Sequence, residues 1–158
     1  MERVAIFVDV QNVYYTSRQT YRKNFDYNAF WRKATANRQV VKAYAYAVER
    51  GDTKQREFQN ILRAIGFEVK LKPFIQRADG SAKGDWDVGI TIDMMDAASE
   101  ADTLILVSGD GDFSILCDRL TQQNQNNVEV YGVPALTASA LMQSASTFIP
   151  IDQSLLLG

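Results

Sequence analysis

Ser108-Gly109-Asp110-Gly111-Asp112-Phe113 comes directly after Thr103-Leu104-Ile105-Leu106-Val107. Those five residues are apolar or branched and do not alternate, the pattern of a strand buried on both faces in a parallel sheet. Phe113, Leu116, Cys117 and Leu120 then recur at helical spacing. A buried strand that turns straight into a helix admits few folds. The hexapeptide is a turn at the carboxyl end of a central strand, the edge at which α/β sheets bind ligands. Two aspartates crowded into that turn repel each other and lose water, and a divalent cation held by their oxygens relieves both costs. On these six residues alone, Asp110 and Asp112 serve equally well as caps of the following helix.

The rest of the chain repeats the alternation of strand and helix. Val4–Val8 is a buried strand ending on Asp9, and Tyr14, Tyr15 and Arg18 open a helix. A second helical run starts at Tyr27 with Asp26 as its N-cap. Tyr15, Tyr27, Phe30 and Trp31 read as core or rim packing in preference to a base-stacking platform. Val40–Ala47 is the second strand. Asp52 caps a helix to about Ile65, with Phe58, Ile61, Leu62 and Ile65 on its apolar face and Gly66 ending it. Phe67–Lys72 alternates as a half-exposed strand does. Pro73–Gly84, with its Asp79-Gly80 turn signal, Arg77 and Lys83, is the longest irregular stretch. Asp85 is placed to cap a helix running to about Ser99. Along that helix Thr91, Met94 and Ala98 fall within ~40° of Asp87, so Asp87 faces inward, which is costly for a carboxylate without a partner. A polar loop over Gln122–Asn127, a strand over Val128–Val133, a helix through Leu141, and an edge strand over Phe148–Ile151 complete the order. This order implies a three-layer α/β fold with a mostly parallel sheet of five or six strands, in one domain spanning residues 1–158.

Composition narrows the chemistry. Histidine is absent, which removes His-based acid–base catalysis, Ser-His-Asp and Cys-His systems and the usual zinc sites. Hydrolysis must then rest on carboxylates, lysine, hydroxyls or a metal-activated water. The single cysteine, Cys117, has no disulfide partner and reads as a buried core thiol. No run of ~18 apolar residues suggests a membrane span, and the chain starts straight into strand-like sequence without a signal-peptide pattern. A cytoplasmic protein is expected, and a homo-oligomer is compatible with the composition. Residues 1–83 carry 16 Lys and Arg against 8 Asp and Glu, whereas residues 84–158 carry 1 against 11. Such polarity suggests a polyanion track leading to a carboxylate cluster; the plainer alternative is two solvated faces that neutralise each other.

In a parallel sheet Asp9 and Asp110 share the carboxyl edge, and Asp87 opens the helix that precedes the Asp110 strand. Oxygen donors without His or Cys select Mg²⁺ or Mn²⁺. Other motifs fit less well. An aspartyl-phosphate phosphatase needs Asp where Gln11 stands, and an EF-hand loop from Asp110 needs Gly and Glu where Ile115 and Thr121 stand. No Gly-x-Gly-x-x-Gly follows the first strand.

Asp9-x-x-Asn12 after a hydrophobic strand, Lys83-Gly84 followed by Asp87, and the Ser108–Phe113 turn resemble, in this order and spacing, the NYN domain of the PIN-like nuclease superfamily. The similarity is to its LabA-like bacterial branch and covers nearly the whole chain. The resemblance implies a PIN-like, Rossmannoid fold and metal-dependent RNA cleavage. By position, Asp9, Asp87, Asp110 and Asp112 would be the catalytic and metal-holding acids, supported by Asn12 and Ser108. Lys83 would be the first phosphate contact for single-stranded RNA, with Arg77, Lys54 and Arg18 as weaker ones. Val10 stands where many members have Gly, and Asp85 adds a second acid beside Asp87, so either can supply the third carboxylate. Without histidine, water is a better nucleophile than the RNA 2′-hydroxyl, and 5′-phosphate and 3′-hydroxyl ends are expected. The competing expectation is a non-catalytic or regulatory domain that binds RNA or protein through the same pocket.

Overall fold

The computed structural model describes residues 1–73, 75–76, 82–83 and 85–158, with Pro73, Ile75, Gln76, Ala82 and Lys83 described by their backbone alone. The chain runs β1 (Glu2–Asp9), α1 (Val10–Tyr21), α2 (Tyr27–Thr35), β2 (Arg38–Glu49), α3 (Thr53–Ile65), β3 (Glu68–Pro73), β4 (Ile75–Gln76), β5 (Ala82–Lys83), α4 (Asp87–Ala97), β6 (Thr103–Val107), α5 (Ser114–Gln122), β7 (Asn127–Gly132), α6 (Ser139–Ser144) and β8 (Thr147–Pro150). Six strands form one sheet in the order β3-β2-β1-β6-β7-β8, and every neighbouring pair is parallel. Both prolines that fall in this sheet, Pro73 and Pro150, lie on its edge strands, where a missing N–H breaks no ladder bond.

Strand order explains the layers. From β1 the chain steps outward to β2 and β3, then returns to the other side of β1 for β6, β7 and β8. Right-handed crossovers therefore put the helices of each half on opposite faces. Val4, Ile6 and Val8 pack with Val13, Phe30, Ala34 and Leu62 from α1, α2 and α3. Ala5 and Phe7 pack with Ile90, Met94, Leu116, Cys117 and Leu141 from α4, α5 and α6. Successive β1 residues serve alternate cores, which is why the strand reads as an unbroken apolar run. The reversal of direction falls between β1 and β6, so the crevice outside their carboxyl ends is the ligand position of an open α/β sheet.

Three expectations change. The stretch over Pro73–Gly84 is not wholly irregular, because Ile75 and Gln76 pair antiparallel with Lys83 and Ala82; Arg77 and the Asp79-Gly80 turn signal lie outside the described residues. Helix α4 starts one residue later than Asp85 implies. Trp86 occupies the cap position, and the Asp85 carboxylate accepts the Asp87 N–H at 3.3 Å. Tyr15 is not packed away: it and Tyr14 are half exposed, unlike the buried Phe30.

The polarised charge is partly consumed inside the fold. Arg38 donates through two nitrogens to Glu129 and through Nε to Glu2. Lys42 pairs with Glu100, Lys70 with Asp93, and Arg3 with Asp102. Among the described residues, Arg3, Arg38, Lys42 and Lys70 of the 16 cations in residues 1–83 therefore neutralise acids of residues 84–158. Among the described residues, no helix is long and apolar enough to cross a membrane.

Candidate metal centre

Asp9 ends β1 and caps α1, its Oδ1 accepting the Asn12 N–H at 3.4 Å. Across the switch point, the buried Ser108 hydroxyl donates to Asp9 Oδ2 at 3.2 Å and accepts the Asp110 N–H at 3.2 Å. The Asn12 side-chain carbonyl accepts the Gly109 N–H at 2.9 Å. Asn12 and Ser108 thus clamp the turn after β6 onto the start of α1. Asp110 then accepts the Asp112 N–H at 2.9 Å and caps a single 3₁₀ turn leading into α5. Capping and clustering are not exclusive, since a carboxylate has a second oxygen.

Among the described residues, one group of acids could close on a cation: Asp87, Asp110 and Asp112 each offer an oxygen, all within 4.8 Å of one another. Asp87 and Asp110 are half buried and Asp112 is exposed. A shallow cleft of about 190 Å³ beside them is lined by Asp87, Thr91, Asp112 and Phe113. The ion pairs of Arg38, Lys42, Lys70 and Arg3 take in none of these carboxylates. Burial pushes Asp87 up to about 7, with the hydrogen-bonded, like-charged Asp110 adding to it. Burial likewise pushes Asp9 up to about 6, against the hydrogen bonds from Asn12 and Ser108, and the charges of Asp110 and Asp85 reinforce the rise. A crowded carboxylate that retains a proton near neutral pH, as Asp87 does, fits a divalent cation, which replaces that proton and cancels the repulsion. The all-oxygen donor set suits Mg²⁺ or Mn²⁺.

Of the four acids expected at the site, three converge and Asp9 stands outside that group, directly behind it through Ser108 and within reach of the Asp110 charge. Of the two acids at the start of α4, Asp87 joins the group; Asp85 donates charge to the cluster and a hydrogen-bond acceptor to Asp87. Trp86 between them is anchored, its Nε1–H donating to the Ala47 carbonyl at 2.9 Å and its face covered by Lys72 Nζ at 4.6 Å. Of the expected phosphate contacts, Lys54 lines a large groove that begins at Val10, the residue after Asp9. Arg18 lies two turns along α1 and donates to the Arg22 carbonyl at 3.2 Å. Lys83 is placed by its backbone in β5. Residues of that groove escaped sequence reasoning, Gln59 above all. Its signal was available: Gln59 is three residues before Leu62, on the inward stripe of α3, and both are buried.

The profile of the NYN domain matches residues 3–152. The low amplitude and bright protein LabA of Synechococcus elongatus is 28% identical over 162 residues, covering 95% of this chain and 84% of LabA. A crystal structure of a Vibrio parahaemolyticus protein of unknown function is 59% identical, covers 99% of this chain and 96% of its own, and superposes with a TM-score of 0.95. The carboxyl-edge cluster of Asp87, Asp110 and Asp112 and the Asn12 and Ser108 clamp are therefore features of a chain that belongs to the NYN domain family.

Proposed function

We propose that this chain is a metal-dependent ribonuclease that hydrolyses phosphodiester bonds of single-stranded RNA and leaves 5′-phosphate and 3′-hydroxyl ends. The observation that carries the reading is the convergence of Asp87, Asp110 and Asp112 at the sheet's switch point. Family membership supports it, since NYN domains are nuclease-like as a class. In the proposed site Asp87, Asp110 and Asp112 hold Mg²⁺ or Mn²⁺, and Asp9 sets the electrostatics from behind. The ion would supply Lewis-acid stabilisation of the leaving oxygen and an acidified water at neutral pH.

The protein's own groups have separate tasks. Ser108 fixes the Asp9 carboxylate and the Asp110 backbone in one hydrogen-bonded chain. Asn12 fixes the approach of the Gly109 backbone. Exposed Asp112 is the acid nearest solvent, placed to orient an incoming water. No side chain offers an imidazole to activate a 2′-hydroxyl, so water is the nucleophile and the bond to the 3′ oxygen breaks. Incubation of the purified protein with labelled single-stranded RNA tests the reading. Cleavage is expected with Mn²⁺ and not with EDTA or in Asp110→Asn; retention of RNA without cleavage under any metal would reduce the chain to a binding domain.

A further inference from the structure

A second cavity among the described residues lies away from the carboxylates. A groove of about 690 Å³ starts at Val10 and Gln11, the two residues after Asp9, and lies among α1, α2 and α3 beyond the carboxyl end of β2. Tyr14, Tyr15, Tyr27 and Phe58 line it, together with Arg50 and Lys54. Tyr14 and Tyr15 are 52% and 51% exposed, their rings edge-on at 5.5 Å. Single exposed aromatics need no explanation, but these share a concave surface with the exposed Arg50, Asp52 and Lys54.

Gln59 is the second, independent observation. It lines the same groove, is 3% exposed, and its Nε2 has no hydrogen-bond partner. Buried amides are rarely left unpaired, because the lost hydration is not returned. An occupant with a carbonyl oxygen would complete it.

We propose that the groove receives an unpaired base of single-stranded RNA. The base stacks on the tyrosines and Phe58, a base carbonyl accepts from the Gln59 amide, and Lys54 faces an adjoining phosphate. Aromatic faces that take any base, combined with cations that track the backbone, are how single strands are held. The assignment rests on the nuclease reading only for its class of ligand. Its position follows from β1, which ends on Asp9 directly behind the metal centre and passes into the groove at Val10. A peptide could also lie on aromatic residues, but the exposed Lys54 and the adjoining phosphodiester centre favour a polyanion.

Binding separates this from catalysis. In EDTA, with the Asp110→Asn chain so that no strand is cut, affinity is measured for labelled oligouridylate and for a strand of equal length with abasic residues. The abasic strand should bind about 5- to 150-fold more weakly, the range that stacking of one base spans. Tyr15→Ala, at a half-exposed position, and Gln59→Leu should each weaken the base-bearing strand about tenfold and leave the abasic strand unchanged. Gln59→Leu should melt no lower than its parent. Equal affinity for the two strands, no measurable binding, or unaltered binding in both variants would overturn the proposal. Base-dependent binding by a wild-type chain that cuts no RNA keeps the groove and removes the nuclease; cleavage with equal affinities does the reverse.

Discussion

At the scale of single residues, one carboxylate of the centre, Asp87, and the Asp9 carboxylate behind it hold protons above the usual range for aspartate. Asp87 and Asp9 bind protons up to about 7 and about 6, well above the usual 3.8 for aspartate. A raised acid pKa in the folded state means that folding favours the protonated form. Its contribution to stability is present below the unfolded value and is lost as pH rises through the folded one. The metal-free protein should therefore lose stability between about pH 4 and about pH 7. Added Mn²⁺ should raise the melting temperature more at pH 8 than at pH 5, because only deprotonated ligands bind it. Melts at the two pH values check both signs. Asp110→Asn removes one member of the crowded set. Activity should fall by about a hundredfold or more, beyond the 10–100-fold typical of outer-shell changes, while the apoprotein should melt at or above wild type. An apo Asp110→Asn protein less stable by several kcal/mol would make Asp110 a structural residue.

Secondary-structure elements bring these residues together through backbone approach, and here the reading from sequence had limits. The turn after β6 presses against the segment after β7: a Cβ on Gly109 would stand 2.8 Å from the Leu136 carbonyl oxygen and 3.0 Å from Thr137 Oγ1. Gly109→Ala must therefore push the turn off that segment and strain its bond to Asn12. Destabilisation of roughly 1–3 kcal/mol, the usual cost of overpacking, with a larger loss of cleavage than of stability, is expected from denaturation and activity measured together. The strand-to-helix turn, the parallel sheet and the caps at Asp26 and Asp52 were legible because each is local in sequence: apolar runs, helical spacing, and an acid at an N-cap that accepts an N–H at 3.0 Å or 2.7 Å. The Asn12 and Ser108 bridges were not, since they join residues 97 and 99 positions apart. The inward face of Asp87 was readable from α4 periodicity. That Asp87 and not Asp85 joins the group depends on where Trp86 is anchored on β2, which no local pattern encodes.

Over the whole molecule, charge does two jobs. The pairs Arg38–Glu129 and Lys70–Asp93 bind the basic half to the acidic half, so the net segregation in sequence overstates the cationic surface. Lys54, exposed beside the groove, and Lys83 of β5 are the phosphate contacts that the proposed reading requires. Replacing either by alanine should lower the slope of log affinity against log salt by roughly 0.7, the value for one phosphate on a single strand. Arg18→Ala, at the weaker expected contact, should lower it less, because that guanidinium donates to the Arg22 carbonyl at the far end of α1. The central claim is that carboxylates and a cation, without histidine, direct water onto the RNA phosphodiester. Mass spectrometry of fragments from an RNA of defined sequence, cut in Mn²⁺, tests it most directly. Fragments with 5′-phosphate and 3′-hydroxyl ends, and continued cleavage when the scissile nucleotide is 2′-deoxy, are predicted; 2′,3′-cyclic phosphates, or equal cleavage in EDTA, would contradict it.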